Sequence, residues 1–371
     1  MENSDVYFAK LPISQGPSRL KILKDLLKSS GLNKINFENK YVAIKMHFGE
    51  PGNLSFIRAN YVKVLADEIK ELGGKPFITD CNTLYVGGRK NALDHLDSAN
   101  LNGFNLYTTG CQTIIADGLK GSDEILVPVK NGKHFKTAAI GRAIMDADII
   151  ISLTHFKGHE STGFGGTLKN IGMGCGSRAG KMQMHATSKP IINEEECIGC
   201  GSCSRICAHD APTKLENKKY RINDDKCVGC GRCIAVCPKN AIKPQWDSAN
   251  DDLNERIAEY TSAVIDGRPN FHISLVIDVS PDCDCHAENG LAIVPDVGFL
   301  ASFDPIALDQ ACVDLVNKAP SVPTSLIGNT CNEDSHDKFH KAHPDTSWEV
   351  SVKHGEEIGL GSRKYNLIQI N

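Results

Sequence analysis

Residues 197–207 read CIGCGSCSRIC and residues 227–238 read CVGCGRCIAVCP. Both runs have the spacing C-x2-C-x2-C-x3-C, the second thirty residues after the first. Together they use eight of the chain's fifteen cysteines. A cubane of four irons needs four converging thiolates. Three cysteines two residues apart wrap a loop around three corners, and the fourth reaches the other cluster of a pair. The assignment is therefore crossed: Cys197, Cys200, Cys203 and Cys237 form one set, and Cys227, Cys230, Cys233 and Cys207 the other. Gly199, Gly201, Gly229 and Gly231 suit such loops, because glycine adopts backbone angles that other residues resist. Zinc sites of the C-x2-C type give no reason for a third and fourth cysteine repeated twice. The spacing thus predicts two [4Fe–4S] clusters. The repeat departs from itself at one point: Pro238 follows Cys237, but Ala208 follows Cys207.

On either side of these runs, apolar strand-like runs alternate with helical spacing. Segments 41–47 (YVAIKMH) and 148–153 (DIIISL) read as buried strands. Segments 76–79, 113–116 and 125–129 are further strand candidates. Helical apolar spacing covers 20–30 up to Gly31, 55–72 up to Gly73, and 138–145. Beyond the cysteines, 253–264 and 305–317 read as helices and 272–279 (HISLVIDV) as a strand. Such alternation implies an α/β fold with a mainly parallel sheet. The expected organisation is one α/β domain, residues 1–189 and 246–371, interrupted at 190–245 by a small two-cluster unit that resembles a bacterial ferredoxin. Two separate flanking domains are the alternative.

A length of 371 residues allows two or three domains. Hydrophobic content of 41% and charged content of 23% are those of a globular chain. A net charge of −4 argues against a nucleic-acid footprint. The opening MENSDVYFAKLPISQ has neither the basic nor the apolar region of a signal peptide. No apolar run is long enough to span a bilayer. Cysteines arranged for clusters fit a reducing compartment. The expectation is a cytoplasmic protein with a soluble redox partner, and neither a membrane nor a nucleic-acid partner.

In open α/β sheets, ligands sit beyond the carboxyl ends of strands. At such ends fall His47-Phe48-Gly49-Glu50, Asp80-Cys81, the segment HFKGHE at 155–160, and Cys283-Asp284-Cys285-His286. The stretch 158–181, GHESTGFGGTLKNIGMGCGSRAGK, holds eight glycines with Lys169, Arg178 and Lys181. Backbone N–H groups of such a loop can face an anion; the other reading is a flexible lid or a packed, turn-rich segment. No nucleotide motif matches. Lys157, Lys169, Lys181, Gly165 and Gly166 are candidate contacts for an unidentified anionic ligand. His155 and His159 are candidates for proton transfer. His155, His159, Cys175 and His185 have metal-ligand chemistry but no spacing motif. Cys283 and Cys285 are too close in sequence for an ordinary disulfide, and read as thiolates or as small buried residues. His336, His340 and His343 share one helical face, which suits a metal or a solvated helix. VAIK at 42–45 lacks the glycine-rich loop and catalytic loop that a kinase strand requires.

VAIKMHFGE (42–50), TDCNTLYVGGR (79–89), the segment 155–181, the CDC at 283–285 and DPIALDQA (304–311) resemble ferredoxin-containing members of the Domain of Unknown Function 362 family. The resemblance implies an iron–sulfur protein with the interrupted α/β architecture, and brings no catalytic residues with it. The leading expectation is an iron–sulfur oxidoreductase relaying electrons to a site in the α/β domain. The alternatives are a non-catalytic electron carrier or docking subunit, and a metal- or cluster-handling protein.

Overall fold

The computed structural model describes residues 3–185, 189–246, 249–328 and 336–371. The three most apolar runs form the strands Tyr41–Lys45, Ile149–His155 and Asn270–Val276, which lie side by side. Each is buried on both faces, as parallel strands between helical layers must be. Their side chains alternate between two cores. Val42, Ile44, Ile149 and Ile151 enter one apolar cluster, while Ala43 and Ile150 enter the other.

Among the described residues the main sheet has eight strands. Their order is Tyr365–Gln369, Ser4–Lys10, Gly298–Ser302, Asn270–Val276, Ile149–His155, Tyr41–Lys45, Lys75–Asp80 and Gln112–Ile115. Gly298–Ser302 runs against its two neighbours, and every other pairing is parallel. Helices Arg19–Ser29 and Ala59–Glu71 cover one face; Thr167–Cys175, Asn250–Ile265 and Pro305–Lys318 cover the other. Local signals set the ends. The Ser18 hydroxyl accepts from Lys21 N, and the Asp304 carboxylate accepts from Ile306 N and Ala307 N with Pro305 in the first turn. The fold is therefore α/β with a mainly parallel sheet, as the alternation implied.

Two local expectations change. The segment 138–145 is the strand Thr137–Gly141 followed by the short helix Arg142–Asp146, and the strand pairs with Glu124–Pro128 in a hairpin outside the main sheet. Ala138, Ala139 and Ile140 are all buried, so the apolar run that imitates a helix is a strand covered on both sides. The glycine-rich stretch is not an open loop. It forms a hairpin, Lys157–His159 with Gly163–Gly165, and then the helices Thr167–Cys175 and Arg178–His185. Gly172 lets the first of these cross Asn250–Ile265 closely, since a Cβ there would run into Ile257 O.

After Arg178–His185 the chain leaves these layers, and it returns with Asn250–Ile265. Between them Ile191–Ile192 pairs with Ile242–Lys243, and Pro212–Lys214 with Tyr220–Ile222, both antiparallel. The short helices Ser202–Ile206 and Arg232–Val236 follow the two cysteine loops.

Candidate functional site

The repeat in sequence is a repeat in backbone. Gly199 and Gly201 in the first half, and Gly229 and Gly231 in the second, all have left-handed φ between 64° and 72°. The cysteines line two hollows in the crossed sets. One is lined by Cys197, Cys200, Cys203 and Cys237, the other by Cys207, Cys227, Cys230 and Cys233. In each half a backbone N–H donates to the fourth sulfur, Ala211 N to Cys207 Sγ at 3.4 Å and Ala241 N to Cys237 Sγ at 3.3 Å. All cysteines among the described residues are free.

This cysteine-bearing segment sits against the α/β layers through named contacts. Leu84 and Met182 join its apolar cluster with Cys203, Cys233 and Ile234. Lys90 Nζ reaches Cys237 O at 3.4 Å, and Arg178 packs on Gly231. Trp246, just past the segment, stacks edge-on against His185 at 4.7 Å.

Leu84, His185 and Trp246 also line a cavity of about 710 Å³. This is the volume of a small-molecule site. It lies beyond the carboxyl ends of Lys75–Asp80, Tyr41–Lys45, Ile149–His155 and Asn270–Val276, the four neighbouring strands whose ends carry the polar groups read from sequence. Lys157, His159, Gly165, Gly166, Lys169 and Lys181 all line it, as does His155.

Its buried charges are arranged in pairs. Lys45 meets Asp80 at 3.0 Å, and Arg89 meets Glu50 at 3.0 Å and Asp80 at 3.5 Å. Burial pushes the Asp80 carboxyl up, but the neighbouring cations, Lys45 first and then Arg89, hold it well below the usual carboxylate range. Asp284 takes His155 Nδ1 at 2.9 Å and Lys157 Nζ at 3.2 Å. Lys169 Nζ lies 3.1 Å from Cys283 Sγ. Lys181 is different: its ammonium meets Gly176 O at 2.6 Å and Gly174 O at 3.5 Å, and among the described residues it has no carboxylate within salt-bridge distance.

The two histidine candidates separate. His155 has Nδ1 on Asp284 and Nε2 on Ile277 O at 2.8 Å, so neither nitrogen is left to exchange a proton with a ligand. It positions Asp284 and Lys157 instead. His159 accepts from Ser161 N and Thr162 N at Nδ1, and its Nε2 lies 3.6 Å from Glu160 Oε1. His47 joins it: Gly49 N donates to its Nδ1 at 3.0 Å, and burial, with Arg89, pushes its pKa well down, so the ring is neutral.

The glycines also take a different part from the one expected. The N–H groups of Thr167 and Leu168 do point at an anion, but it is the chain's own Asp309, at 2.7 Å and 2.9 Å. Gly166 leaves room for that carboxylate. His336, His340 and His343 do not converge, since His343 bonds Pro281 O at 2.8 Å and His340 faces Thr346 O. Cys175 and His185 stay apart from His159 as ligands. Instead His159, Cys283 and Cys285 bring one nitrogen and two sulfurs within 4.8 Å of one another, and Glu160, Cys285 and His286 form an adjoining group. The site is thus rich in cysteine and in groups of metal-ligand type. Glu50 was read from sequence as part of the strand-end group HFGE, but Lys45, Arg89 and Asn170 were not singled out. Only Lys45 carried a signal, a charge inside the apolar run VAIK.

Among the described residues no helix is long and apolar enough to cross a membrane. No curated protein matches the sequence. Among solved structures the chain is similar to the lactate racemase apoprotein of Thermoanaerobacterium thermosaccharolyticum, at 14% identity and a TM-score of 0.37, over 74% of this chain and 51% of that one. It is also similar to a protein of Thermotoga maritima, at 11% identity and a TM-score of 0.35, over 93% and 61%. The chain thus spans between half and two thirds of the length of either. The model of the family described as Domain of unknown function (DUF362) matches residues 42–314, cavity and cysteine runs included, and the chain belongs to that family.

Proposed function

We propose that this protein is an iron–sulfur oxidoreductase that moves electrons between a soluble partner and an anionic small molecule held in the cavity. One observation carries the reading: Leu84 belongs both to the cavity wall and to the apolar cluster around Cys203 and Cys233. In this reading the cysteine-bearing segment 190–245 is an insert in the α/β domain 1–189 and 246–371 of a cytoplasmic protein.

The residues present suit two [4Fe–4S] groups. Four sulfurs surround each hollow, left-handed glycines let each loop wrap, and a backbone N–H supports the fourth sulfur of each half. Cys197, Cys200, Cys203 and Cys237 would hold one, and Cys227, Cys230, Cys233 and Cys207 the other. When bound, they supply one-electron transfer.

The rest falls to the chain's own side chains. Lys157, Lys169 and Lys181 all line the cavity; Lys157 is paired with Asp284, whereas among the described residues Lys181 has no carboxylate within salt-bridge distance. Binding an anion there costs less than elsewhere, because the buried ammonium is already desolvated. His47 and His159, whose Nδ1 atoms accept from backbone N–H groups, hold protons at Nε2 in the cavity lining.

The test is anaerobic purification, iron and sulfide analysis, and electron paramagnetic resonance of the reduced protein. About eight irons per chain are expected. Reduced protein should then be reoxidised by small anionic oxidants but not by neutral ones of equal potential. Protein that retains no iron after anaerobic reconstitution refutes the reading. Full iron without any oxidant-dependent reoxidation favours an electron carrier or docking subunit.

A further inference from the structure

The loop after Asn270–Val276 turns at Cys283–His286, where His286 N donates to Cys283 O at 3.1 Å. The middle residue is anchored toward the sheet. The Asp284 carboxylate takes His155 and Lys157, and its carbonyl accepts from Glu50 N at 2.9 Å. The two flanking cysteines line the cavity, Cys283 buried and Cys285 half-buried. Their sulfurs lie with a His159 nitrogen inside 4.8 Å. The turn removes the objection raised by their short separation. Two residues span at most about 7 Å when extended, and a turn brings the Cα atoms into the range of roughly 4.4–6.8 Å that a disulfide needs.

Two chemistries compete for this group: a soft metal ion, or thiol redox. His159 discriminates between them. Ser161 N and Thr162 N donate to its Nδ1 at 3.0 Å and 3.2 Å, so the lone pair is on Nδ1 and the ring proton on Nε2. A nitrogen that carries a proton donates to a thiolate and does not ligate a metal. Lys169, 3.1 Å from Cys283 Sγ, acts in the same direction: its ammonium repels a cation and stabilises a thiolate.

We propose that Cys283 and Cys285 are a redox-active dithiol that reduces small anionic disulfides in the cavity, with Cys283 attacking and Cys285 resolving. This names a substrate class for the proposed oxidoreductase, and rests on that reading only for the source of the returning electrons. The step balances. Cys283 thiolate attacks one sulfur of R–S–S–R, a Cys283–S–S–R bond forms, the substrate bond breaks and RS⁻ leaves. Cys285 then attacks Cys283 Sγ, gives its proton to a departing thiolate and expels the second RS group. The substrate gains two electrons and becomes RS⁻ and RSH; the pair loses two and becomes one disulfide. Lys169 and the Nε2–H of His159 stabilise Cys283 as the attacking thiolate, while Lys157 and Lys181 favour an anionic R group.

The test uses the full, anaerobically purified protein and 5,5′-dithiobis(2-nitrobenzoate), a small anionic disulfide whose released thiolate is coloured. A fast phase of two thiolates per chain is expected, with iron content unchanged and with a peptide map that joins Cys283 to Cys285. Cys283→Ser should abolish the fast phase. Cys285→Ser should release one thiolate and keep the other half of the probe on Cys283. Lys169→Met should slow the fast phase by about tenfold or more at neutral pH, and should slow a neutral dipyridyl disulfide by the same factor. A fast phase that survives Cys283→Ser overturns the proposal. So does bound zinc that protects both cysteines until a chelator removes it. Should a variant fail to fold, the parent's peptide map decides alone: reacted protein without the Cys283–Cys285 link overturns the proposal. Iron analysis and the map fail separately, so loss of the electron relay and loss of the dithiol are told apart.

Discussion

Asp80→Asn keeps the shape of a buried residue on the cavity wall and removes its charge. The carboxylate faces Lys45 at 3.0 Å, Arg89 at 3.5 Å and His95 at 3.9 Å, and it accepts from Cys81 N at 2.9 Å. Removing one partner of a buried pair costs about 3–5 kcal/mol. Arg89 keeps Glu50, and Lys45 keeps Met46 O and Asn170 Oδ1, so the cost should fall at the lower end, about 3 kcal/mol. The pH dependence has a definite sign. Burial opposes ionisation, but Lys45 and the other cations depress the folded pKa below the unfolded value. Stability from that shift is fully present above the unfolded carboxylate pKa of about 4, and is lost as pH falls through the folded value. The gap between parent and variant in urea unfolding should therefore be widest near neutral pH and narrow below about pH 4. The cavity also gains one net positive charge, so anion binding should tighten while stability falls. General loosening would move both downward. Adding Lys45→Met to Asp80→Asn should recover part of the loss, because an apolar replacement leaves no unpaired charge. A variant within about 0.5 kcal/mol of the parent at pH 7, below the scale expected for a buried pair, or a gap that stays constant to pH 3, would refute the reasoning.

Other perturbations test other parts of the chain. Cys203→Ser should lower iron from about eight to about four per chain and leave one of two paramagnetic signals; an unchanged spectrum removes the crossed assignment. Lys181→Ala should weaken anion binding by about tenfold or more, or roughly 1.4 kcal/mol, with iron content unchanged; equal binding by variant and parent removes that lysine from the site. Gly172→Ala should destabilise the protein by about 1–2 kcal/mol, because overpacking against Ile257 and Thr261 outweighs the gain in helix propensity. It should also slow anion binding through displacement of Lys169 and Asn170 on the same helix, and a variant more stable than the parent contradicts the close crossing.

The parts that were readable from sequence are those governed by local periodicity or spacing. Buried strands such as DIIISL announce themselves by continuous apolar runs, and the cysteine sets by a repeat with no other economical use. The reading failed where the meaning of a residue depends on a distant partner. Eight glycines in 158–181 suggested an anion loop, yet Gly166 makes room for Asp309, and Gly172 admits the helix Asn250–Ile265. Both partners are far along the chain, so composition alone cannot separate a glycine that cradles a ligand from one that permits close packing. His155 and His159 are equivalent in sequence. They differ in structure because Ile277 O takes Nε2 of one, while the turn at Ser161 and Thr162 takes Nδ1 of the other. The same long-range logic hides Arg89, whose partner Glu50 comes from another loop.

The sheet explains why these groups share one cavity. Lys75–Asp80, Tyr41–Lys45, Ile149–His155 and Asn270–Val276 are consecutive neighbours and parallel, so their carboxyl ends emerge on one edge. Strands lie about 4.8 Å apart, and four of them spread their end loops over roughly 14 Å. Asp80 marks one end of that row and Cys283 the other. Between them stand the pairs Lys45–Asp80 and Lys157–Asp284. Leu84 and Arg89 follow the Asp80 strand, so the cysteine-bearing segment meets the cavity at that end, and the dithiol faces it from the far end. A ligand that touches both ends must be about as long as the row. A shorter one has to choose: Lys157 and Lys169 stand at the Cys283 end, whereas Lys181, bound to Gly174 O and Gly176 O, stands near Cys81 at the Asp80 end.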